Sequence, residues 1–271
     1  MTTSPLRVAI IGTARRSDYL YGPILAAMPQ EVELVSVWGR REQAARQLGE
    51  RLGAPWYTDL ERLVRETAPE IGIVSVAYGA NGEVGLMAVE AGLHVLLETP
   101  IAHKLSEADA IIAAAQARNL KIEVAEQFHR RPLEQIKLKL LASGLFGRVH
   151  TSFSDFAGHG YHGISVMRSY LGFDAQPRRV CGLVKEFELA PHWSLLAGTR
   201  GARTEEQEHG LIEFEGLRFG AALVAQQPFS GRKGHGHYGW RRTGGAGMAD
   251  AASPRRRSAA LHHHRAALGA Q

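Results

Sequence analysis

Cysteine is all but absent. Cys181 is the only one in 271 residues, so no intrachain disulfide can staple the fold and no oxidising compartment is needed to complete it. Long apolar runs are missing too, and nothing approaches the roughly 20 residues that a membrane-spanning helix needs. The first ten residues, MTTSPLRVAI, lack a charged segment leading into a long apolar stretch and a cleavage site. A cytoplasmic location with no membrane partner is the expectation. Acid is scarce only at one end: residues 231–271 hold seven arginines and one lysine against a single acid, Asp250. The rest of the chain is close to neutral although the whole carries +5, so its body offers no argument for a nucleic-acid partner. Residues 231–271 also contain no Ile, Val or Phe. Such a segment cannot bury enough apolar surface to offset its ordering entropy, and it reads as a basic, disordered or aberrant tail.

What is present is a rhythm. Residues 6–12 (LRVAIIG) read as a buried strand stopped by glycine, and residues 32–38, 71–77, 93–98 and 120–124 read likewise. Helical patterns lie between them. Residues 23–28 open on Pro23. Residues 41–52 carry Ala44, Ala45, Leu48 and Leu52 on one face, with Gly53 as the stop. Thr58-Asp59-Leu60-Glu61 reads as a capping box for a helix to about Thr67, Val84–Glu90 as a helix ending at Gly92, and Ser106-Glu107-Ala108-Asp109 as the cap of a helix through Arg118. Short apolar strands alternating with helices are βαβ units, whose parallel strands need helical crossovers. The fold class is therefore α/β, an N-terminal Rossmann doubly wound parallel sheet over residues 1–130.

After Arg131 the rhythm changes. A basic helix over Leu133–Ser143 ends at Gly144, and strand-like stretches follow at 148–156, 179–189, 208–214 and 218–225, with one helix at 163–171. Residues 131–230 thus read as an incomplete α+β domain with a mostly antiparallel sheet.

The first strand runs into Gly12-Thr13-Ala14-Arg15-Arg16-Ser17. A dinucleotide fingerprint places glycines at 12, 14 and 17 so that the backbone can turn tightly against a pyrophosphate at a helix N-terminus. Only Gly12 is glycine here, with Ala14 and Ser17 as small substitutes, and a plain structural loop is the competing reading. The second strand ends Trp38-Gly39-Arg40-Arg41. An NAD site usually sets an acid there for the ribose 2′-hydroxyl. Gly39 removes it, and Arg40 and Arg41 bring charge suited to a 2′-phosphate. A solvated helix start is the alternative. The cofactor expectation is NADP or NAD.

Ala77-Tyr78-Gly79-Ala80-Asn81, the run Glu90-Ala91-Gly92-Leu93-His94-Val95-Leu96-Leu97-Glu98-Thr99-Pro100, Arg130-Arg131-Pro132, Gly147-Arg148-Val149 and the segment from Tyr161-His162 through Arg168 to Gly172 together resemble the Gfo/Idh/MocA oxidoreductases, from about residue 6 to about residue 225. The resemblance implies a dinucleotide-binding domain followed by one whose open sheet faces substrate and often a second subunit. It also implies hydride transfer between NAD(P) and a hydroxyl or carbonyl carbon of a sugar, polyol or similar small molecule, with proton transfer alongside. In that family a lysine in a glutamate-lysine-proline turn, an aspartate, and a histidine four residues after it share the proton work. Here Thr99 replaces the lysine and Gly158 stands four residues before His162. A threonine hydroxyl can orient a substrate oxygen but carries no positive charge, which leaves His162 and Thr99 as the catalytic candidates. A helix-start histidine bonded to backbone is the plainer reading of His162, and His159 could share its role.

The cofactor-binding candidates are Gly12, Thr13, Ala14, Arg15, Gly39, Arg40, Arg41, Ala77, Tyr78, Asn81, Glu98 and Thr99. Lys104 reads as a solvated lysine and His94 as structural. No metal site is expected: His262-His263-His264 and His235/His237 have no acid or cysteine partners. Two functions stay open, a CH–OH oxidoreductase and a non-catalytic dinucleotide binder, either a sensor or a degenerate relic; a third, a nucleic-acid binder, has only the basic residues 231–271 behind it. The partners are then a small-molecule substrate and, if the C-terminal sheet is intact, a second copy of the chain. Residues from about Ala221 onward are expected to be out-of-frame translation. The family's second sheet needs more chain to close, and residues 233–240 read one base later permit Lys/Arg-Gly-Met-Gly-Ile-Thr-Val-Gly.

Overall fold

The computed structural model describes residues 4–154, 160–194, 199–216 and 218–226. The chain divides into two units, one ending at Glu126 and the other starting at Gln127.

In the first unit the strands are β1 (Leu6–Ile11), β2 (Val32–Trp38), β3 (Trp56–Tyr57), β4 (Ile71–Val74), β5 (His94–Leu97) and β6 (Ile122–Val124). They form one parallel sheet in the order β3-β2-β1-β4-β5-β6, the doubly wound order with its reversal between β1 and β4. The helices are α1 (Gly22–Ala26), entered through a π-helical stretch at Ser17–Tyr21, then α2 (Glu42–Leu52), α3 (Leu60–Thr67), α4 (Asn81–Glu90) and α5 (Leu105–Ala117).

Side chains alternate across β1, and the core follows. Val8 and Ile10 pack with Tyr21, Leu25, Val37 and Leu48 on the α1/α2 side. Ala9 and Ile11 pack with Leu63, Val84, Val89 and Ile111 under α3, α4 and α5. All four β1 residues are at most 2% exposed, and full burial of such a side chain is worth about 1.5–3 kcal/mol. A sheet covered on both faces needs apolar residues at consecutive positions, which is why β1 reads as an unbroken apolar run.

Local details differ from the sequence reading. Helix α3 is capped by Asp59, not Thr58: the Asp59 side chain accepts from the Arg62 amide at 2.9 Å, while the Thr58 carbonyl accepts from Trp38 Nε1 at 3.0 Å. Helix α5 begins before Ser106, with Lys104 at its N-cap, and α4 starts at Asn81, three residues ahead of the apolar run. The two-residue β3 escaped notice because its place in the sheet comes from pairing with Val37 and Trp38 rather than from an apolar run. His94 is structural as expected, its Nδ1 accepting from the Lys121 amide at 2.9 Å.

The second unit holds a short 3-10 turn (Phe128–Arg130), α6 (Pro132–Ala142), β7 (Thr151–Ser154), α7 (Gly160–Leu171), β8 (Pro177–Ser194), β9 (Thr199–Phe214) and β10 (Arg218–Gln226). The sheet order is β7-β10-β9-β8, antiparallel except for the parallel β10–β7 pair. Helix α7 packs Met167 and Leu171 against Phe214. Strands β8 and β9 run well beyond the apolar stretches that announce them, because their backbones pair from Val180–Ile212 out to Ser194–Thr199. A ladder of backbone bonds tolerates polar side chains that no strand pattern would predict. Gly158, His159 and the tail at 231–271 lie outside the described residues.

Candidate functional site

The site is built at the carboxyl ends of β1, β2, β4 and β5, where an open doubly wound sheet leaves a crevice beside its reversal point. Gly12 follows β1 with φ +121, a left-handed backbone that disfavours any side chain. A Cβ there would lie 2.1 Å from the Ser75 carbonyl oxygen, so the turn presses directly on the end of β4. Ser17, at the third fingerprint position, is fully buried, and its hydroxyl lies 2.9 Å from the Gly12 carbonyl and 3.3 Å from that of Ser75. The hydroxyl thus pins the turn where the fingerprint has glycine. Ala14 holds the same turn, its carbonyl accepting from the Ser17 amide at 2.9 Å. Helical backbone begins at residue 15, and Arg15 is exposed with its guanidinium 5.1 Å above the Tyr19 ring.

Gly39 also has a packing role that its sequence position does not reveal. A Cβ there would lie 2.6 Å from Thr13 Cγ2, so the glycine lets the β1 turn pack against the end of β2. Arg40 is half exposed and bonded to Glu83 in the first turn of α4, Nη2 to Oε2 at 2.7 Å. Arg41 is exposed at the N-cap of α2.

At the end of β5, Glu98 is 6% exposed and its carboxylate is surrounded by donors. Arg16 Nη1 reaches its two oxygens at 2.9 and 2.8 Å, the Tyr21 hydroxyl donates at 2.8 Å, and the Thr99 amide donates at 3.2 Å. Burial, and after it the charge and hydrogen bond of Glu98, raise the Tyr21 phenol well above its ordinary range and keep it a neutral donor. Asn81 is also buried, its Nδ2 donating to the carbonyls of Glu98 at 3.1 Å and Pro100 at 2.7 Å. The Thr99–Pro100 peptide is cis. Asn81 therefore shapes the 98–100 turn, and the Glu98 carboxylate serves internal donors. Ala77 accepts from the Ala80 amide at 3.1 Å in the loop before α4, and Tyr78 is exposed, edge-on to His103 at 4.1 Å.

Sequence reasoning missed Arg16 and Tyr21. Position 99 lacks its cation, yet a guanidinium sits on the neighbouring carboxylate. The available signal was Glu98 itself, since an acid at the end of a buried strand needs a counterion, but the sequence does not choose between Arg15 and Arg16.

These residues fit a dinucleotide. Gly12 offers a cradle that a Cβ would fill, and Arg40 brings a guanidinium suited to phosphate. Two buried polar atoms at this edge, Ser75 Oγ and Asn81 Oδ1, have no hydrogen-bond partner. A ligand rich in hydroxyl and amide groups could satisfy both.

The catalytic candidates fall in different units. Thr99 lies in the first. His162 lies in the second, 4% exposed near the start of α7, its ring 4.4 Å from both Phe128 and Tyr161. Lys104 is exposed and 3.9 Å from Glu107, the solvated residue expected. Among the described residues no helix is long and apolar enough to cross a membrane. A shallow depression of about 380 Å³ lies on the second sheet, lined by Phe153, Leu183, His209 and Leu211 among others.

Residues 6–126 match the oxidoreductase family GFO_IDH_MocA, described as having an NAD-binding Rossmann fold. D-glucoside 3-dehydrogenase of Escherichia coli (strain K12) is 32% identical over 155 residues, covering 56% of this chain and 43% of that protein. An uncharacterized oxidoreductase of Schizosaccharomyces pombe is 30% identical over 125 residues, covering 45% and 33%. The chain thus spans less than half the length of either relative. Among solved structures, an inositol dehydrogenase homolog from Azotobacter vinelandii, complexed with NADH and myo-inositol, superposes with a TM-score of 0.64 at 20% identity, covering 85% of this chain and 66% of that one. That likeness is one of fold. Strand order, the Gly12 turn and the matched sequence thus agree over residues 6–126, which resemble the NAD-binding Rossmann domain of the Gfo/Idh/MocA oxidoreductases.

Proposed function

We propose that this protein is an NAD(P)-dependent oxidoreductase that moves a hydride to or from a hydroxyl or carbonyl carbon of a sugar, polyol or similar small molecule. The observation that carries the reading is the Gly12 turn wedged against Ser75 at the reversal point of a sheet matched to an NAD-binding family. The E. coli relative acts on D-glucosides by its name, which supports a sugar-like substrate.

In this reading Gly12, Thr13, Ala14 and Arg15 receive the pyrophosphate at the helix start, and Gly39, Arg40 and Arg41 border the adenosine ribose. Ala77 and Tyr78 flank the dinucleotide, while Asn81, Arg16 and Glu98 hold the turn that presents Thr99. A bound nicotinamide supplies the hydride acceptor or donor. Thr99 orients a substrate oxygen, and His162 is the acid–base residue. The exposed apolar side chains of β8 and β9 (Val180, Leu183, Val184, Phe187, Leu211) support pairing with a second copy.

A second reading, a dinucleotide binder without turnover, draws on the enclosure of His162 between two aromatic rings and on Thr99 in place of a lysine. Nucleotide reduction assayed with a panel of sugars and polyols separates the two. His162→Ala should lower turnover about a hundredfold, the usual contribution of a positioned acid–base group. Unchanged turnover removes His162 from the mechanism. A wild type that binds dinucleotide and never turns over supports the second reading.

Cofactor choice has its own test. NADP(H) should bind at least as tightly as NAD(H), and Arg40→Ala should weaken NADP(H) by about 1.5–3 kcal/mol, tenfold or more, with little change for NAD(H). Tenfold tighter NAD(H) in the wild type would refute this view of the turn.

A further inference from the structure

The Arg40–Glu83 ion pair occupies a particular place. Arg40 follows β2, and Glu83 lies in the first turn of the helix that follows β4. In the sheet β1 runs between β2 and β4, so the pair at 2.7 Å spans the carboxyl edge from one side of β1 to the other, beside the Gly12–Thr13 turn. Thr13 itself packs on Gly39, the residue before Arg40. The arginine that would meet a 2′-phosphate is thus already engaged by a carboxylate.

We infer that Glu83 sets how strongly this protein prefers a 2′-phosphorylated dinucleotide, by competing with that phosphate for Arg40. The inference rests on the reading of residues 39–41 as the ribose end of the cofactor groove. Both side chains are more than half exposed, 52% and 64%, so water screens the pair and it opens easily. A 2′-phosphate carries more charge and more acceptor oxygens than one carboxylate and takes the guanidinium when it arrives. Glu83 then remains nearby as an unpaired like charge and lowers the affinity. A 2′-hydroxyl makes no such demand, and the pair stays closed over NAD(H). Glu83 is therefore a specificity residue that acts through Arg40 and touches no reacting atom.

The test is equilibrium binding of NADP(H) and NAD(H) to the full chain, by calorimetry or nucleotide fluorescence, at low and high salt. Glu83→Gln should tighten NADP(H) by about three- to tenfold at low salt, and by less at high salt, while NAD(H) stays within about twofold. Glu83→Lys should tighten NADP(H) further. In the Arg40→Ala background, Glu83→Gln should produce a smaller gain, because the competed-for group is gone. An unchanged melting temperature checks that the exposed substitutions leave the fold alone. If Glu83→Gln leaves NADP(H) binding unchanged or weaker while Arg40→Ala still loses it, the competition is wrong and the reading of the turn survives. If Arg40→Ala does not alter the NADP(H)-to-NAD(H) ratio, the reading of the turn falls and takes the inference with it.

Discussion

Gly12→Ala should destabilise the N-terminal unit by about 3–5 kcal/mol, enough to leave much of a marginally stable domain unfolded. Two costs act together. At φ +121 any Cβ strains the backbone, and this Cβ would lie 2.1 Å from the Ser75 carbonyl oxygen, 2.7 Å from its carbon and 2.7 Å from Val76 Cγ1. The closest of these atoms are main-chain atoms at the end of a central strand and cannot swing aside like the tip of a flexible side chain. Relief requires parting β1 from β4, whose last paired residues are Ile11 and Val74. Urea denaturation followed by far-ultraviolet circular dichroism measures the effect, and a loss under about 1 kcal/mol would contradict the geometry of the turn. Gly39→Ala makes a useful comparison. Its Cβ meets the Thr13 methyl at 2.6 Å, a side chain that can yield somewhat, so its cost should be smaller.

Arg16→Ala should cost about 3–5 kcal/mol, toward the lower end because the Arg16 side chain retains 22% exposure. The arginine's own attraction to Glu98 is not the whole of it. Removing the guanidinium leaves a carboxylate buried, its side chain 9% exposed, with, among the described residues, the Tyr21 hydroxyl and the Thr99 amide as its remaining donors. The expected signature is strong non-additivity. Glu98→Gln in the Arg16→Ala background should recover much of the loss, since an amide needs no counterion. If the double variant is as unstable as the two single losses added together, Arg16 and Glu98 do not form a unit, and the placement of Arg16 as the cation of this turn fails. The same double variant should disturb dinucleotide binding, because the Glu98 carboxylate, held by Arg16, accepts from the Thr99 amide in the 98–100 turn.

Much of the first unit could be read from local pattern. Strand β2 spans the residues its apolar run marks, and Gly53 ends α2 in the left-handed conformation that a glycine stop implies, φ +69. Both depend on neighbours a few residues away. The caps were less legible: Thr58 and Asp59 are both good N-cap residues, and the structure places Asp59 at the cap, with the Thr58 carbonyl held by the indole of Trp38 on a neighbouring strand. In the second unit the lengths of β8 and β9 were illegible, since cross-strand pairing sustains them through polar stretches.

The candidate site divides along the same line. Gly12, Gly39 and Arg40 could be singled out from the sequence because a turn after a buried strand is a local event with a known chemical use. What Gly39 does, packing under Thr13, could not, and neither could the partners of Arg40 and Glu98. Arg16 and Glu98 stand 82 residues apart and meet only because β1 and β5 end on the same edge of the sheet. By itself the sequence determined the order of strands and helices, the double burial of the sheet and the place of the glycine turn, because periodicity and backbone preference act over a few residues. Only the tertiary structure decided which charges meet. A buried carboxylate must find its counterion wherever the fold brings one, and an exposed arginine pairs with the acid that the neighbouring crossover sets beside it.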